Sequence, residues 1–203
     1  SKEMNFNRSS HTTFWDNGEV KEKCYLKNGL KDGVLRNYDR NGNLLAEEMY
    51  INGIHHGFGR EFYEDGTISS KYYKENGRYE NKLLEYDEDG FIISSSSFKQ
   101  DRLNGISTEY FEDGTIRLEI NYKNNVKHGN EKEYFPNGYL SREYNYINGI
   151  LNGPFSIYYN NGYLQEEGNY KNGNLDGILS YYTPNGQLMI EKEYKNGITK
   201  KNN

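Results

Sequence analysis

One glycine recurs every 24 residues along this chain of 203 residues, without a single insertion or deletion. Each follows an asparagine or an aspartate, and the series is Gly18, Gly42, Gly66, Gly90, Gly114, Gly138, Gly162 and Gly186. A fixed period of this length indicates a repeat protein whose units pack on their neighbours. We therefore expect eight tandem repeats over residues 14–201, an N-terminal extension or cap over residues 1–13, and a tail of residues 202–203.

Apolar side chains follow the same period. An aromatic residue lies four positions before every glycine of the series, at Phe14, Tyr38, Phe62, Tyr86, Tyr110, Tyr134, Tyr158 and Tyr182. An aliphatic residue lies two positions after each glycine, from Val20 to Leu188. A second ring column stands midway, at Tyr50, Phe98, Tyr122, Tyr146, Tyr170 and Tyr194. The resulting 12-residue half-period is too short for helical hairpins and predicts one β-hairpin per repeat.

The spacing also predicts the turn and the faces of the sheet. A three-residue loop closed by a left-handed Gly42, with a G1 bulge, pairs Tyr38 with Leu44. A two-residue loop would put these two side chains on opposite faces. Counting by twos from Leu44 along an unbroken strand reaches Tyr50, so both ring columns should share one face. The predicted fold is all-β, an elongated single-layer antiparallel hairpin array of about sixteen strands.

The pattern is weakest in the middle of the chain. Lys74 replaces a ring there, and glycines are replaced at Asn81, Asp101 and Asn125. Two interpretations remain open: selection on the repeat is loose in this stretch, or the stretch forms a kink or a specialised contact.

Composition narrows the classes of function. Only 33% of the residues are hydrophobic, but 15% are aromatic, far more than disordered tails carry. Lys and Arg number 25 against 30 Asp and Glu, and this net charge of −5 argues against nucleic acid and anionic membranes as partners. No apolar run approaches the roughly 20 residues of a transmembrane helix. The single cysteine, Cys24, excludes an intrachain disulfide.

Patterns of catalytic and metal-binding residues are absent from the sequence. A translational repeat places like groups in columns about 10 Å apart, whereas catalysis needs different groups brought together. The histidines have no zinc-site spacing, and we expect them in turns or on the surface. The acidic turn of residues 87–90 lacks the ligand spacing of a calcium loop. We therefore predict a protein that is not an enzyme and that needs no cofactor and no metal.

The repeat unit resembles a known family. The segment Tyr158-Tyr-Asn-Asn-Gly-Tyr-Leu-Gln-Glu-Glu-Gly-Asn-Tyr-Lys-Asn-Gly-Asn-Leu-Asp-Gly177 is similar to the MORN repeat, and more closely to its bacterial variant. The resemblance implies a non-catalytic array of β-hairpins. Bacterial proteins with this variant are often grouped as YwqK-like antitoxins, whereas eukaryotic relatives attach proteins to membranes or to each other.

Aromatic rows on a one-layer sheet indicate a binding surface, although rings that only hold neighbouring repeats together would give the same pattern. We predict a protein-binding groove in repeats five to seven. Its candidate residues in the two main ring columns are Tyr110, Tyr122, Tyr134, Tyr146, Tyr158 and Tyr170. A less regular ring column beside the turns, on the other face, adds the predicted cross-strand pairs Phe135–Tyr139 and Tyr159–Tyr163.

Three functions can be compared with these features. The first is a scaffold that binds a protein partner, in the manner of an antitoxin or immunity protein, and it predicts a cytoplasmic location. The second is an exported bacterial surface repeat protein or adhesin, which requires a signal peptide. The third, membrane or phosphoinositide attachment, conflicts with the net charge of −5, so we do not expect lipid contact. Lysines near the C-terminus discourage pairing of the edge strand, so we expect mainly monomer.

Overall fold

The structure is a computed structural model that describes residues 8–200, and within this range the chain is all β. The chain divides into two compact units, the first ending at residue 102 and the second beginning at residue 103. The first unit contains β1 (Arg8–Phe14), β2 (Val20–Lys27), β3 (Leu30–Lys31), β4 (Gly33–Tyr38), β5 (Leu44–Ile51), β6 (Ile54–Phe62), β7 (Ile68–Glu75), β8 (Arg78–Tyr79), β9 (Asn81–Tyr86) and β10 (Ile92–Lys99). Strand β11 (Arg102–Leu103) spans the division.

The second unit contains β12 (Gly105–Tyr110), β13 (Ile116–Lys123), β14 (Val126–Tyr134), β15 (Leu140–Ile147), β16 (Ile150–Leu151), β17 (Gly153–Tyr158), β18 (Leu164–Lys171), β19 (Asn174–Leu175), β20 (Gly177–Tyr182), β21 (Leu188–Lys195) and β22 (Ile198–Thr199). In each unit the strands pair antiparallel with their neighbours in sequence, as in β4–β5 and β17–β18. There are more strands than predicted because a left-handed residue, such as Gly33, interrupts the first strand of several hairpins.

Each hairpin closes with the predicted three-residue loop. In the second repeat, the Gly42 N–H donates to the Asp39 carbonyl at 3.1 Å, and the Asp39 N–H donates to the Asn43 carbonyl at 2.9 Å. Gly42 has a φ of +85°, which an L side chain would strain. Tyr38 faces Leu44 across the hairpin, which confirms the predicted turn and pairing.

A bulge beside every such turn changes the faces. Tyr38 faces Leu44, but the preceding residue, Asn37, faces Ala46. The second strand therefore contains one extra residue, Leu45, which has no partner on the first strand. Beyond this bulge the alternation of side chains is inverted, and Tyr50 lies on the face opposite Tyr38. The prediction that the two main ring columns share one face is therefore wrong, because it assumed an unbroken strand. We call the side with the Tyr50 column the core face and the side with the Tyr38 column the ladder face.

The most buried apolar residues lie on the core face. Leu35, Cys24, Tyr72, Phe155 and Leu179 are almost fully buried there. Burial is also the main reason that the pKa of the Cys24 thiol is raised, so this thiol is not activated.

Two glycines outside the three turn columns make room for this core. A Cβ atom added to Gly59 would lie 2.1 Å from Cε2 of Tyr72. A Cβ atom added to Gly168 would lie 2.8 Å from Cε1 of Phe155. Each glycine directly faces the ring in question across the strand pair, so a larger residue would collide with the core.

Successive hairpins are joined by two-residue turns of type I′. Asn28 and Gly29 both have positive φ values, of 53° and 77°, and Lys27 faces Leu30 across the turn. The glycine N–H of the next such turn, at Gly53, donates to the carbonyl of Lys31 in the preceding repeat at 2.8 Å. These turns therefore also connect one repeat to the next.

The weak middle of the sequence pattern keeps the same backbone. Asn81, Asp101 and Asn125, which replace glycines, have φ values of 63°, 66° and 72°. Side-chain hydrogen bonds accompany two of these replacements. The Tyr79 N–H donates to Asp101 Oδ1 at 2.5 Å, and the Leu103 N–H donates to Asn125 Oδ1 at 2.7 Å. The backbone therefore keeps its left-handed conformation at these three positions without a glycine.

The first described strand includes residues of the predicted N-terminal extension or cap. Strand β1 runs from Arg8 and pairs with β2, and Phe14 faces Val20 as Tyr38 faces Leu44. Residues 8–13 of the predicted N-terminal extension or cap thus lie in a strand that pairs with β2. Residues 1–7 of that predicted extension, and the predicted tail at 202–203, lie outside the described residues.

Candidate functional site

The predicted ring-lined surface is divided between the two faces of the sheet. Tyr122, Tyr146 and Tyr170 lie on the core face, where they face Gly105, Gly129 and Gly153. The other three candidates of the main columns lie on the ladder face, at Tyr110, Tyr134 and Tyr158. No single groove can be lined by all six rings, because the bulge beside each turn separates the two sets.

Ladder-face tyrosines connect neighbouring repeats. The Tyr134 hydroxyl donates to Glu119 Oε1 at 3.4 Å, and the Tyr182 hydroxyl donates to Glu167 Oε1 at 2.8 Å. Burial and the nearby Glu119 carboxylate raise the pKa of the Tyr134 phenol. These hydrogen bonds give Tyr134 and Tyr182 a structural role between repeats.

Rings of the column beside the turns also reach the next repeat. The Tyr159 hydroxyl donates to the Tyr182 carbonyl at 2.7 Å, and the Tyr63 hydroxyl donates to the Tyr86 carbonyl at 2.6 Å. The indole N–H of Trp15 donates in the same way to the Tyr38 carbonyl at 3.0 Å. This role could not be predicted from the sequence, because the hydrogen-bond acceptor is a backbone carbonyl, which any residue type supplies.

The residues of the predicted aromatic pairs at the turns are joined by backbone hydrogen bonds and not by contacts between their rings. The Phe135 N–H donates to the Tyr139 carbonyl and the Tyr159 N–H to the Tyr163 carbonyl, each at 2.8 Å. Within residues 8–200, however, neither pair makes a ring–ring contact. Instead the Tyr139 ring packs near Gly162 of the following turn, and both Tyr139 and Tyr163 remain about half exposed, at 53% and 54%.

The second unit has a groove on its core face. This second-unit groove has a cavity volume of about 330 Å³, and Tyr144, Tyr146, Leu151 and Tyr170 form its apolar lining. Phe155 supports it from below: its ring centroid lies 5.6 Å from that of Tyr144 and 4.9 Å from that of Tyr170. Two of the predicted candidates, Tyr146 and Tyr170, therefore meet in one groove.

Charged residues at the second-unit groove are paired within the chain. Arg142 Nε lies 2.5 Å from Glu133 Oε2, and Lys127 Nζ lies 2.9 Å from Glu131 Oε1. The same Lys127 ammonium lies 5.0 Å from the centroid of the Tyr146 ring. Burial, followed by the Glu131 carboxylate, raises the pKa of Tyr146, so its phenol is neutral and can donate a hydrogen bond. The groove thus presents rings and hydroxyls with no unpaired charge.

The first unit has a groove that the sequence analysis did not identify. This first-unit groove has a cavity volume of about 290 Å³. Its lining includes Tyr63, Tyr79 and Tyr86 together with the carboxylates of Glu61 and Glu85. The two glutamates occupy the same position in successive repeats, and Ser70 lies on the strand between them. This combination is the sequence signal from which the groove could have been predicted.

A polar cluster is buried elsewhere in the first unit. Glu48 accepts hydrogen bonds from the Tyr72 hydroxyl at 2.7 Å and from the Tyr50 hydroxyl at 3.2 Å. His55, only 6% exposed, stacks on Tyr50, and its Nδ1 lies 3.9 Å from Glu48 Oε2. We expected every histidine in a turn or on the surface, and for His55 this prediction is wrong.

Burial accounts for the titration properties of this cluster. Burial lowers the pKa of His55 in spite of the Glu48 carboxylate, so the imidazole is neutral at physiological pH. Burial also raises the pKa of Tyr50 to about 12. Ring packing on Tyr50 and Tyr72 is the role that the geometry supports for His55.

Two features are absent from residues 8–200. No three side chains among the histidines, cysteines, aspartates and glutamates come together as metal ligands would. Nor does this part of the chain contain a helix of the length and hydrophobicity needed to cross a bilayer. The acidic turn at Asp87 forms like the other turns, because its Oδ1 accepts the N–H groups of Asp89 and Phe91.

Comparison with known proteins identifies the repeat. The family profile of the MORN repeat variant matches residues 31–52, 103–124, 127–148, 151–172 and 175–196, which together are more than half of the chain. No curated protein sequence is significantly similar to it. Among solved structures, one similar chain comes from the crystal structure of TcdB2-TccC3-Cdc42, at 12% identity and a TM-score of 0.26. The alignment covers 94% of this chain and 13% of that one. Because the identity and the TM-score are low, we base no conclusion about fold or function on this similarity. On the strength of the five matched segments and the hairpin array, the chain belongs to the family of MORN repeat variants.

Proposed function

We propose that this MORN repeat protein is a non-enzymatic scaffold that binds a protein partner through the second-unit groove. The single observation that carries the proposal is the convergence of Tyr144, Tyr146 and Tyr170 on one open cavity. Tyrosines combine a large apolar ring with a hydroxyl and lose little entropy on binding, which is why they are enriched among residues that dominate interface energies. MORN repeats are generally non-catalytic, which agrees with a binding role.

The candidate residues predicted from the sequence have different roles in this proposal. Tyr146 and Tyr170 line the groove directly. Tyr122 lies in the same column of the core face, and Tyr139 and Tyr163 are exposed at the turns, so all three extend the proposed surface. The ladder-face residues Tyr110, Tyr134 and Tyr158 and the turn residues Phe135 and Tyr159 are better regarded as supports of the repeat.

The division between faces supplies a matched control. We would compare capture from cell lysate by the original chain, by a groove variant with Tyr146→Ser and Tyr170→Ser, and by a ladder-face variant with Tyr134→Ser and Tyr158→Ser. Circular dichroism would first establish that both variants are folded. A partner retained by the ladder-face variant and bound at least about tenfold more weakly by the groove variant would support the proposal. Equal capture by both variants would place the binding surface elsewhere.

The biological role that we propose is that of an antitoxin or immunity-type protein. Its support is the resemblance of the repeat to that of YwqK-like antitoxins. The test is growth of cells that express the captured partner alone, with this chain, or with the groove variant. Rescue of growth by the original chain and loss of rescue with the groove variant is the expected result, and a partner that is harmless alone would contradict the role.

A further inference from the structure

Three residues form a row across three neighbouring strands of the first unit. On the core face Glu61 of β6 faces Ser70 of β7, and Ser70 also faces Glu85 of β9. Strands are about 4.8 Å apart, so the two glutamates flank the short serine with about 10 Å between their backbones. All three residues line the first-unit groove. A short residue between two long acids leaves space into which both carboxylates can turn.

The carboxylates in this row have no cationic partner. Both glutamates are exposed, and no Lys, Arg or His nitrogen in residues 8–200 lies within 4.0 Å of Glu61 or Glu85. The Ser94 hydroxyl donates to Glu85 at 3.0 Å, and this is a neutral contact. Ser70 is only 8% exposed, and its hydroxyl makes no hydrogen bond within the described part of the chain. The first-unit groove thus carries two negative charges without a cationic partner, beside a serine hydroxyl that makes no hydrogen bond within residues 8–200.

The second unit shows how the same position is filled by the chain itself. Three repeats further on, the residue that corresponds to Ser70 is Arg142, and the residue that corresponds to Glu61 is Glu133. These two face each other in the same register, and Arg142 Nε lies 2.5 Å from Glu133 Oε2. In the second unit, therefore, the carboxylate of Glu133 is paired with the guanidinium of Arg142. In the first unit, the carboxylate of Glu61 is present, but Ser70 stands in place of the arginine.

The rings of the first-unit groove add a second attraction for a cation. On the same core face, Lys74 Nζ lies 4.7 Å from the centroid of the Tyr79 ring. This lysine contacts the ring and forms no ion pair with Glu61 or Glu85. Planar guanidinium groups suit such a site better than ammonium, because they can stack on a ring and donate two parallel hydrogen bonds to a carboxylate.

We propose that the first-unit groove binds an arginine side chain of a protein partner, whose guanidinium takes the place that Arg142 fills in the second unit. The inference rests on the proposed protein-binding function. It does not depend on the second-unit groove, because the two sites share no lining residue. It also gives the partner a chemical feature, an exposed arginine, that the tyrosine-lined groove does not specify.

Titration with a small probe tests the site directly. We would add N-acetyl-arginine methylamide to the ¹⁵N-labelled full chain and follow amide chemical shifts, with the citrulline analogue as a neutral control of the same shape. Saturable shifts at residues 61–86, with an affinity in the millimolar range and at least about tenfold weaker for citrulline, are expected. Equal shifts with citrulline, or no saturable shift at these residues, would overturn the proposal.

Two variants separate the site from general charge effects. Glu61→Gln with Glu85→Gln should remove the arginine-dependent shifts while the spectrum elsewhere stays unchanged. Ser70→Arg should supply the guanidinium internally, as at Arg142, and weaken the probe at least about tenfold. Full binding by either folded variant would refute the assignment. Lysate capture is not part of this test, so loss of the second-unit function and loss of this site are distinguishable.

Discussion

Replacement of Gly59 by alanine tests how tightly the first-unit core is packed. Gly59 is one of the few glycines whose φ is not positive, so an alanine introduces no left-handed strain there. Its Cβ, however, would lie 2.1 Å from Cε2 and 2.5 Å from Cζ of Tyr72, whose hydroxyl is held by Glu48. Overpacking of this kind costs about 1–3 kcal/mol. Because the ring is both 4% exposed and tethered, we expect a loss of about 2–3 kcal/mol.

Gly66→Ala is the matched control for this prediction. Gly66 has a φ of +90° and nothing within 4 Å of an added Cβ, so it isolates backbone strain from collision. We expect it to cost about 1 kcal/mol, measured like the first variant by urea unfolding. In a Tyr72→Leu background the cost of Gly59→Ala should shrink, because the tethered ring is gone. A cost for Gly59→Ala no greater than that of Gly66→Ala, or unchanged with Leu at position 72, would refute the packing argument.

Two other substitutions test the hydrogen-bond and burial assignments. Tyr159→Phe removes the hydrogen bond to the next repeat and should cost about 1 kcal/mol in urea unfolding, whereas Tyr163→Phe, half exposed and with no hydroxyl partner in residues 8–200, should cost almost nothing. Equal costs would contradict the assignment. Because burial holds the pKa of His55 below its ordinary value of 6.5, the unfolded chain binds the proton more readily, and stability should fall as the pH drops below about 6.5. Urea midpoints at about pH 7.5 and about pH 5.5 should converge for His55→Phe, and an unaltered pH dependence in that variant would exclude this histidine as the cause.

Local turn chemistry explains why the hairpins could be predicted and the faces could not. The pairing of Tyr38 with Leu44 follows from a loop whose glycine recurs in every repeat, so neighbours in sequence settle it. The face of Tyr50 depends on a bulge between Leu44 and Ala46, and neither residue type marks it. This single extra residue separated the rings that the sequence had placed together.

The groove and the core depended on contacts across strands, which periodicity does not encode. Tyr144 lies in a column that also contains Cys24 and Gly168, so no aromatic period pointed to it. The buried position of His55 arises from the rings of Tyr50 and Tyr72 on neighbouring strands. The clearest sequence signal of the core is a pair of glycines that do not follow the 24-residue period, Gly59 and Gly168. Each lies where the ring of a residue on the neighbouring strand leaves no space for a Cβ atom.

The engaged glycine amides of the two kinds of turn affect the chemical ageing of the chain. Asn-Gly sequences deamidate when the glycine backbone nitrogen attacks the side-chain carbonyl carbon of the asparagine, which forms a succinimide and releases ammonia. At Asn52-Gly53 the glycine N–H is bound to the Lys31 carbonyl of the preceding repeat, and at Asn41-Gly42 it is bound to the Asp39 carbonyl. Attack requires that nitrogen to leave its hydrogen bond and the turn to open. Folding therefore protects a sequence that is unusually rich in deamidation sites, and isoaspartate should accumulate first in repeats that open most often.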